Sequence, residues 1–307
     1  MTELAKDIIQ RVERLATALS FTPERAKGYA ARLRRVFASR LRRKRLKDAV
    51  QSLNANGLVV QLDSFGGHFE LPLANNMTCR LIVGGYEAMQ QLLLKSLLQP
   101  GDHMVDVGAN LGLFTVLAGT IVGPTGHVLA VEPVPRILEH LQRNVHRNHL
   151  RNVTIFEGVA TDRSQLCEIH TSEGAEEYSS LNKIAHPDAQ RNKHDTLEVQ
   201  GLPIDELVSK YRLEPRVLKV DTEGAEGLVF TGALATLRAY RPILLSELDD
   251  RLLKGFGWSS GKVIQLLNDA GYVVIDQHSK RAISASSADF VGDVIGIPEE
   301  ARQVITV

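Results

Sequence analysis

Residues 104–114 read MVDVGANLGLF. The run MVDV has the residue types of a strand buried on both faces, and LGLF resumes the apolar spacing of a helix. Gly108, Asn110 and Gly112 stand between them, so the segment predicts strand, tight turn and helix. In open α/β sheets ligands bind beyond the carboxyl ends of the strands, where the strand order reverses. Asp106, Gly108, Asn110 and Gly112 are therefore candidate ligand-binding residues. Gly108 permits a backbone conformation closed to residues with a β-carbon, and Gly112 lets a ligand or a neighbouring strand approach the helix start. Twenty residues beyond Gly112 comes Glu132, at the end of the apolar run HVLAVEP. An acid at that interval accepts the ribose hydroxyls of an adenosine.

The details of the turn select among adenosine-containing ligands. A dinucleotide site wants G-x-G-x-x-G, with the pyrophosphate on helical amides. The chain has D-V-G-A-N-L-G instead. Asp106 would repel a pyrophosphate but favours the α-ammonium of an amino acid. S-adenosyl-L-methionine carries that ammonium and no phosphate, and the turn suits it better.

Outward from this turn the chain alternates regularly. HMVDVG, HVLAVEP, NVTIFEGVA, RVLKVD and PILLSE read as strands. LGLFTVLAGTIV, PRILEHLQRNVHRN, PIDELVSKY and AEGLVFTGALATLRAY read as the helices between them. Residues 163–196 look irregular and polar, with LCEIHTS as a candidate extra strand. SGKVIQLLNDAG is a further helix, and YVVIDQ and DFVGDVIGIP are two last strands joined by a helix-free loop, which suits an antiparallel pair at the sheet edge. Alternating strands and helices mean a mainly parallel sheet covered on both faces. Before the alternation, YEAMQQLLLKSLL has helical spacing, and LVVQL, HFELP and TCRLIV are short β-type runs.

The first 50 or so residues read as two helices, with Thr22 and Pro23 as a cap and first turn of the second. The chain has 36 Lys and Arg against 36 Asp and Glu, yet the balance is uneven. Residues 1–48 hold 14 bases and 5 acids, a net +9, so the remainder is −9. RLRRVFASRLRRKRLK, residues 32–47, contains no acid. This run is read either as a solvated helix face or as attachment to an anionic surface, phospholipid or polyanionic substrate. Nucleic acid ranks third, because no aromatic residues alternate with the bases to stack on nucleotides. No run approaches about 18 uninterrupted apolar residues, so no spanning helix is expected. MTELAKDIIQRVERL lacks the apolar centre of a secretory signal. Cys79 and Cys167 are isolated and have no metal-ligand spacing, as in a reducing, cytoplasmic setting.

The sequence resembles the FkbM family of S-adenosylmethionine-dependent methyltransferases. The likeness is carried by GGYEA (84–88), PGDHMVDVGANLGLFT (100–115) and GPTGHVLAVEPVPRILEHLQRNVHRN (123–148), then SSLN (179–182), LKVDTEGAEGLVFTGA (218–233) and RPILLSEL (241–248). It implies a class I methyltransferase fold, an α/β Rossmann-like arrangement with a seven-stranded, mostly parallel sheet. It also implies cofactor contacts at Asp106, Gly108, Asn110, Gly112 and Glu132, with Ala160 added to that set, and it places Glu87 beside the cofactor or the substrate, where ordinary N-terminal capping is the alternative. Thr222 departs from the family pattern, where an aliphatic residue is usual. Residues 1–56 match nothing in the family and form a basic helical extension. Residues 57–83 form a short β meander, and residues 84–307 the methyltransferase domain.

The chemistry is expected at the ends of the later strands. An acceptor hydroxyl must lose its proton to a positioned base or to a metal that lowers its pKa. Asp221, Glu223 and Glu247 are the candidate catalytic residues. Asp221 and Glu247 end neighbouring strands, where two carboxylates raise one another's pKa or share a divalent cation such as Mg²⁺. Base and metal ligand both stay open, with a direct base or orienting role preferred. Glu226 reads as a stabiliser of a helix start. Ser179 and Ser180 read as acceptor-binding hydroxyls or turn residues.

The activity these features point to is O-methylation of a sugar, a glycan or glycolipid precursor, or a polyketide-type product. The basic extension suggests a phosphorylated or lipid-linked acceptor, met at the inner membrane face by an otherwise cytoplasmic protein. A homo-oligomer is compatible. A non-catalytic cofactor-binding module is the first rival, and the retained acids oppose it. A nucleic-acid or protein methyltransferase is the second. KVDTEG stands where amine methylation of bases uses an N-P-P-Y-type element.

Overall fold

The structure is a computed structural model. It describes residues 58–62, 64–72, 81, 86–172, 181, 194–286 and 289–301. The basic extension with its run at 32–47, and Ser179 and Ser180, lie outside the described residues. The chain divides into two compact units, Met1–Met89 and Gln90–Val307. In the first, β1 (Leu58–Gln61) and β2 (His68–Leu71) pair antiparallel, with Leu58, Phe69 and Leu71 buried. These are the first two runs of the expected meander. The third lies outside the described residues, Leu81 apart. Helix α1 (Ala88–Leu97) follows.

The second unit is built on a seven-stranded sheet. Its strands are β3 (His103–Val107), β4 (His127–Glu132), β5 (Val153–Glu157), β9 (Pro215–Val220), β10 (Ile243–Asp249), β11 (Tyr272–Asp276) and β12 (Val291–Pro298). Their order is β11-β12-β10-β9-β3-β4-β5. Six strands run in one direction, five of them paired parallel side by side, and β12 runs antiparallel between β10 and β11. The last two strands thus form the antiparallel edge that the sequence suggests. The chain leaves β3 toward β4 and β5, then returns to the other side through β9 and β10. The reversal falls between β3 and β9, which makes that boundary the favoured ligand position.

Helices α2 (Leu113–Val122) and α3 (Pro135–Arg147) join the first three parallel strands. In α3 the buried residues are Ile137, Leu138, Leu141, Asn144 and Val145, the spacing of a single helix face. Pro135 starts this helix, where a missing N–H costs nothing. Helix α2 is apolar almost all round and is buried over most of its length. An apolar cluster covers the opposite face of the sheet. It joins Val105, Val107, Leu218, Val220 and Leu244 to side chains of α4 (Ile204–Tyr211), α5 (Glu226–Thr231), α6 (Leu234–Tyr240) and α8 (Ser260–Asp269). Each fully buried Leu, Val or Phe there contributes about 1.5–3 kcal/mol relative to exposure. A short helix α7 (Asp250–Leu253) follows β10 directly.

Two expectations change. NVTIFEGVA is not one strand: β5 stops at Glu157, and β6 (Val159–Ala160) joins a second sheet, ordered β6-β8-β7. Its other members are β7 (Gln165–Ser172), the extra strand that LCEIHTS suggests, and β8 (His194–Leu202), which the sequence left unassigned and which pairs antiparallel with β7. Finally, AEGLVFTGALATLRAY is two helices. Asp205 of α4 accepts N–H bonds from Ala235 (3.0 Å) and Thr236 (2.7 Å), so a distant carboxylate caps α6 as a separate helix. Among the described residues no helix is long and apolar enough to cross a membrane.

Candidate active site

Register places the charged residues on one face of the sheet. Asp106 pairs with Lys219 and with Ala130, and Lys219 pairs with Leu245. Paired residues share a face, so Asp106 and Lys219 lie opposite the apolar cluster. Two residues further on, the same face carries Glu132 on β4, Asp221 just past β9, Glu247 on β10 and Asp293, which pairs with Glu247. A row of carboxylates therefore crosses the carboxyl edge of the parallel strands at the reversal point.

The turn after β3 is fixed by its backbone. Gly108 has φ 76°, Asn110 φ 51° and Gly112 φ 87°, all left-handed. A β-carbon on Gly108 would lie 1.9 Å from the carbonyl oxygen of Asp221, so the chain after β9 presses directly on the turn. At Gly112 the close protein neighbour is a helix side chain rather than a strand. An added β-carbon would meet Leu141 Cδ1 of α3 at 2.6 Å. Asn110 tolerates its conformation because its own Oδ1 accepts the N–H of Leu111 at 2.8 Å.

Glu132 is 6% exposed, and its two oxygens accept N–H bonds from Asn110 (2.9 Å) and Val134 (3.0 Å). Each carboxylate oxygen keeps a second lone pair for a ribose hydroxyl. Burial pushes its pKa from 4.5 up to about 7, against the two amide bonds, which lower it. A hydroxyl donor prefers the ionised form. The Kd for S-adenosylhomocysteine is therefore expected to rise about tenfold per unit as pH falls below about 7, and to lose this dependence in Glu132→Gln. Stability runs the other way. The folded protein holds this proton more tightly than the unfolded chain, so the contribution is complete below 4.5 and is lost as pH rises through about 7. Calorimetry and denaturant midpoints across pH 5–8 separate the two effects.

Asp106 is fully buried. Thr115 Oγ1 donates to its Oδ2 at 2.6 Å, and the Lys219 ammonium lies 4.0 Å from its Oδ1. Oδ1 itself receives no hydrogen bond. Burial raises the pKa of Asp106, while Lys219 and Thr115 work to lower it. The same ammonium stands 3.2 Å from Asp221 Oδ2 and 4.9 Å from the centre of the Phe114 ring. Asp221 is the outermost member, with its side chain 43% exposed.

The loop after β9 is held by Glu226. Its Oε1 accepts the N–H of Thr222 (2.9 Å), the hydroxyl of Thr222 (2.9 Å) and the N–H of Gly224 (3.2 Å). Glu226 therefore has a structural role, as expected, but it acts on a turn as well as on a helix start. The departure at Thr222 has its reason here, because only a hydroxyl supplies the third donor. Between these anchors Glu223 sits at φ 53°.

The structure thus aligns Asp106, Gly108, Asn110, Gly112, Glu132, Asp221 and Glu247 along one edge. Glu223 occupies the turn beyond Asp221. Ala160, 3% exposed on β6, belongs to the apolar cluster. Glu87 belongs to the first unit, immediately before α1, with φ 50°. Two contributors went unassigned in the sequence. Lys219 interrupts the apolar strand RVLKVD, and a lysine there must be buried and paired. Asp293 is its counterpart in DFVGDVIGIP. It accepts a hydrogen bond from Gln90 at 2.9 Å, and burial followed by the Asp221 charge pushes its carboxyl up.

The residues at the turn fit an adenosine ligand that bears an ammonium. Glu132 is presented by two amides, and Asp106 offers a buried oxygen that no donor satisfies. Among the described residues no group of three or more His, Cys, Asp or Glu is placed to share a metal ion. The cation already beside Asp221 is the Lys219 ammonium.

Known proteins resemble this chain at three levels: a family signature, curated sequences and solved structures. The family signature described as Methyltransferase FkbM domain covers residues 106–274. The chain is 44% identical over 70 residues to a probable cobalt-precorrin-6B C(15)-methyltransferase of Sulfolobus acidocaldarius, spanning 23% of this chain and 36% of that one. It is 36% identical over 64 residues to a protein-L-isoaspartate O-methyltransferase of Methanothrix thermoacetophila, spanning 21% and 30%. The chain thus matches about a third of the length of these curated relatives. A solved structure described as methyltransferase FkbM from Methylobacillus flagellatus superposes with a TM-score of 0.41 at 16% identity, over 66% of this chain and 47% of that one.

Proposed function

The chain belongs to the Methyltransferase FkbM domain family, and on that premise we propose that it methylates a hydroxyl oxygen of a sugar, a glycan or glycolipid precursor, or a polyketide-type product. The observation that carries this reading is the part-exposed Asp221 carboxylate at the reversal point of the sheet, against the turn that fits the cofactor. When bound, S-adenosyl-L-methionine supplies a sulfonium methyl that an acceptor oxygen attacks in line, the C–O bond forming as the S–C bond breaks. Asp221 takes the proton that the hydroxyl loses. Glu247, next in the row and exposed, accepts a hydrogen bond from a neighbouring hydroxyl and orients the acceptor. Asp293 extends the row one strand further.

Carboxylates spaced along an edge suit an acceptor with several hydroxyls. They oppose a phosphate near the reacting oxygen. Any phosphate or lipid on the acceptor therefore lies away from this row, and the basic run at residues 32–47 is the candidate to meet it. Supplying methyl-labelled cofactor with neutral saccharide, polyketide, carboxylic acid and amine acceptors tests the proposal. Label on a hydroxyl oxygen is the expected result, and label only on nitrogen, carbon or a carboxylate overturns it.

A further inference from the structure

We infer that Lys219 is a positioning residue, whose buried ammonium holds Asp221 in the orientation that receives the acceptor proton. This rests on the O-methylation reading above. The Lys219 side chain is 4% exposed, lies in register with Asp106 and stands between two carboxylates under the Phe114 ring. Burying an ammonium is costly, so its placement follows the charges that compensate it. Neutralising Asp106 alone would draw it toward that side chain. The distances run the other way: Nζ hydrogen-bonds Asp221 at 3.2 Å and stays 4.0 Å from Asp106, whose Oδ2 is already bonded by Thr115. Asp106 therefore anchors the ammonium from behind, and one of the ammonium's N–H donors bonds the exposed carboxylate.

That bond engages Oδ2 of Asp221 and leaves Oδ1 for the acceptor. An aspartate this exposed would otherwise turn about its side-chain bonds. Fixing one oxygen fixes the direction of the other, which is the alignment proton transfer needs. Lys219 touches neither reacting atom in this scheme and acts through Asp221.

The test compares D106N with the double variant D106N–K219M. In the D106N background no buried aspartate charge needs neutralising, so loss of the ammonium leaves no orphaned anion in the core. Both variants are expected to fold, with melting temperatures close to each other. Both lack the Asp106 carboxylate, so they should bind S-adenosylhomocysteine more weakly than the native protein but within about threefold of each other by calorimetry, and kinetics are compared at saturating cofactor. Adding K219M is expected to lower kcat about 100-fold with KM little changed. Crystal structures of the two variants should show the Asp221 carboxylate turned away only in the double variant. Equal kcat in the two, or an Asp221 carboxylate that stays in place, overturns the proposal. If the native protein methylates no hydroxyl acceptor, the functional reading fails, while the crystallographic comparison still decides the role of Lys219.

Discussion

Replacing Asp221 with Asn is expected to lower kcat by about 10²–10⁴-fold, while S-adenosylhomocysteine binds within about threefold of its native affinity. The substitution keeps the shape of the side chain and its acceptor oxygen toward Lys219. It removes only the capacity to take a proton. Because the lost interaction belongs to the transition state, kcat and kcat/KM should fall together. Glu247→Gln should behave differently. Glu247 is exposed and one strand further along, so its loss should raise the acceptor KM more than it lowers kcat. Steady-state kinetics on both variants, with calorimetry on the cofactor product, checks the contrast. A D221N protein with native kcat would remove Asp221 from the chemistry.

The second large effect is structural. Gly108→Ala is expected to destabilise the protein by about 3 kcal/mol, from a left-handed conformation at about 1–2 kcal/mol and overpacking at about 1–3 kcal/mol. The clash is with backbone, because the added carbon would sit 1.9 Å from the Asp221 carbonyl oxygen, in the next strand's exit loop. Gly112→Ala carries a similar conformational cost but meets the far end of a leucine side chain at 2.6 Å, which can rotate away. Its loss should be roughly half as large. Urea denaturation of the two variants should reproduce that order. Gly108→Ala should also weaken cofactor binding, because the turn and the Asp221 loop have to part to admit the methyl.

The parallel sheet was legible because its strands are short apolar runs and its helices keep a clear apolar face, as in PRILEHLQRNVHR. The turn at Gly108 and the acid at Glu132 were legible because each depends on a local residue type at a fixed interval. What escaped was set by partners distant in sequence. Strand β8 is polar and half-exposed, and only pairing with β7 makes it a strand. The division between α5 and α6 comes from Asp205, about 30 residues away. Lys219 was visible as a charge inside an apolar strand, with Asp221 two residues on, but its second carboxylate partner, Asp106, appears only once β3 and β9 are neighbours. Asp293 joins the row because β12 enters beside β10, and the sequence holds no local sign of that insertion.

The position of β12 has a consequence for synthesis on the ribosome. Strand β11 is made first, yet its partner in the sheet is β12, which also covers the outer side of β10. Until residue 298 has left the exit tunnel, β10 presents bare amides and carbonyls along one side and β11 has no seat. The nascent chain thus carries an open template for wrong pairing late in translation, when most of the apolar cluster has already been made. A stop codon placed just before Val291 should give a polypeptide that aggregates or is degraded, rather than a shorter active enzyme.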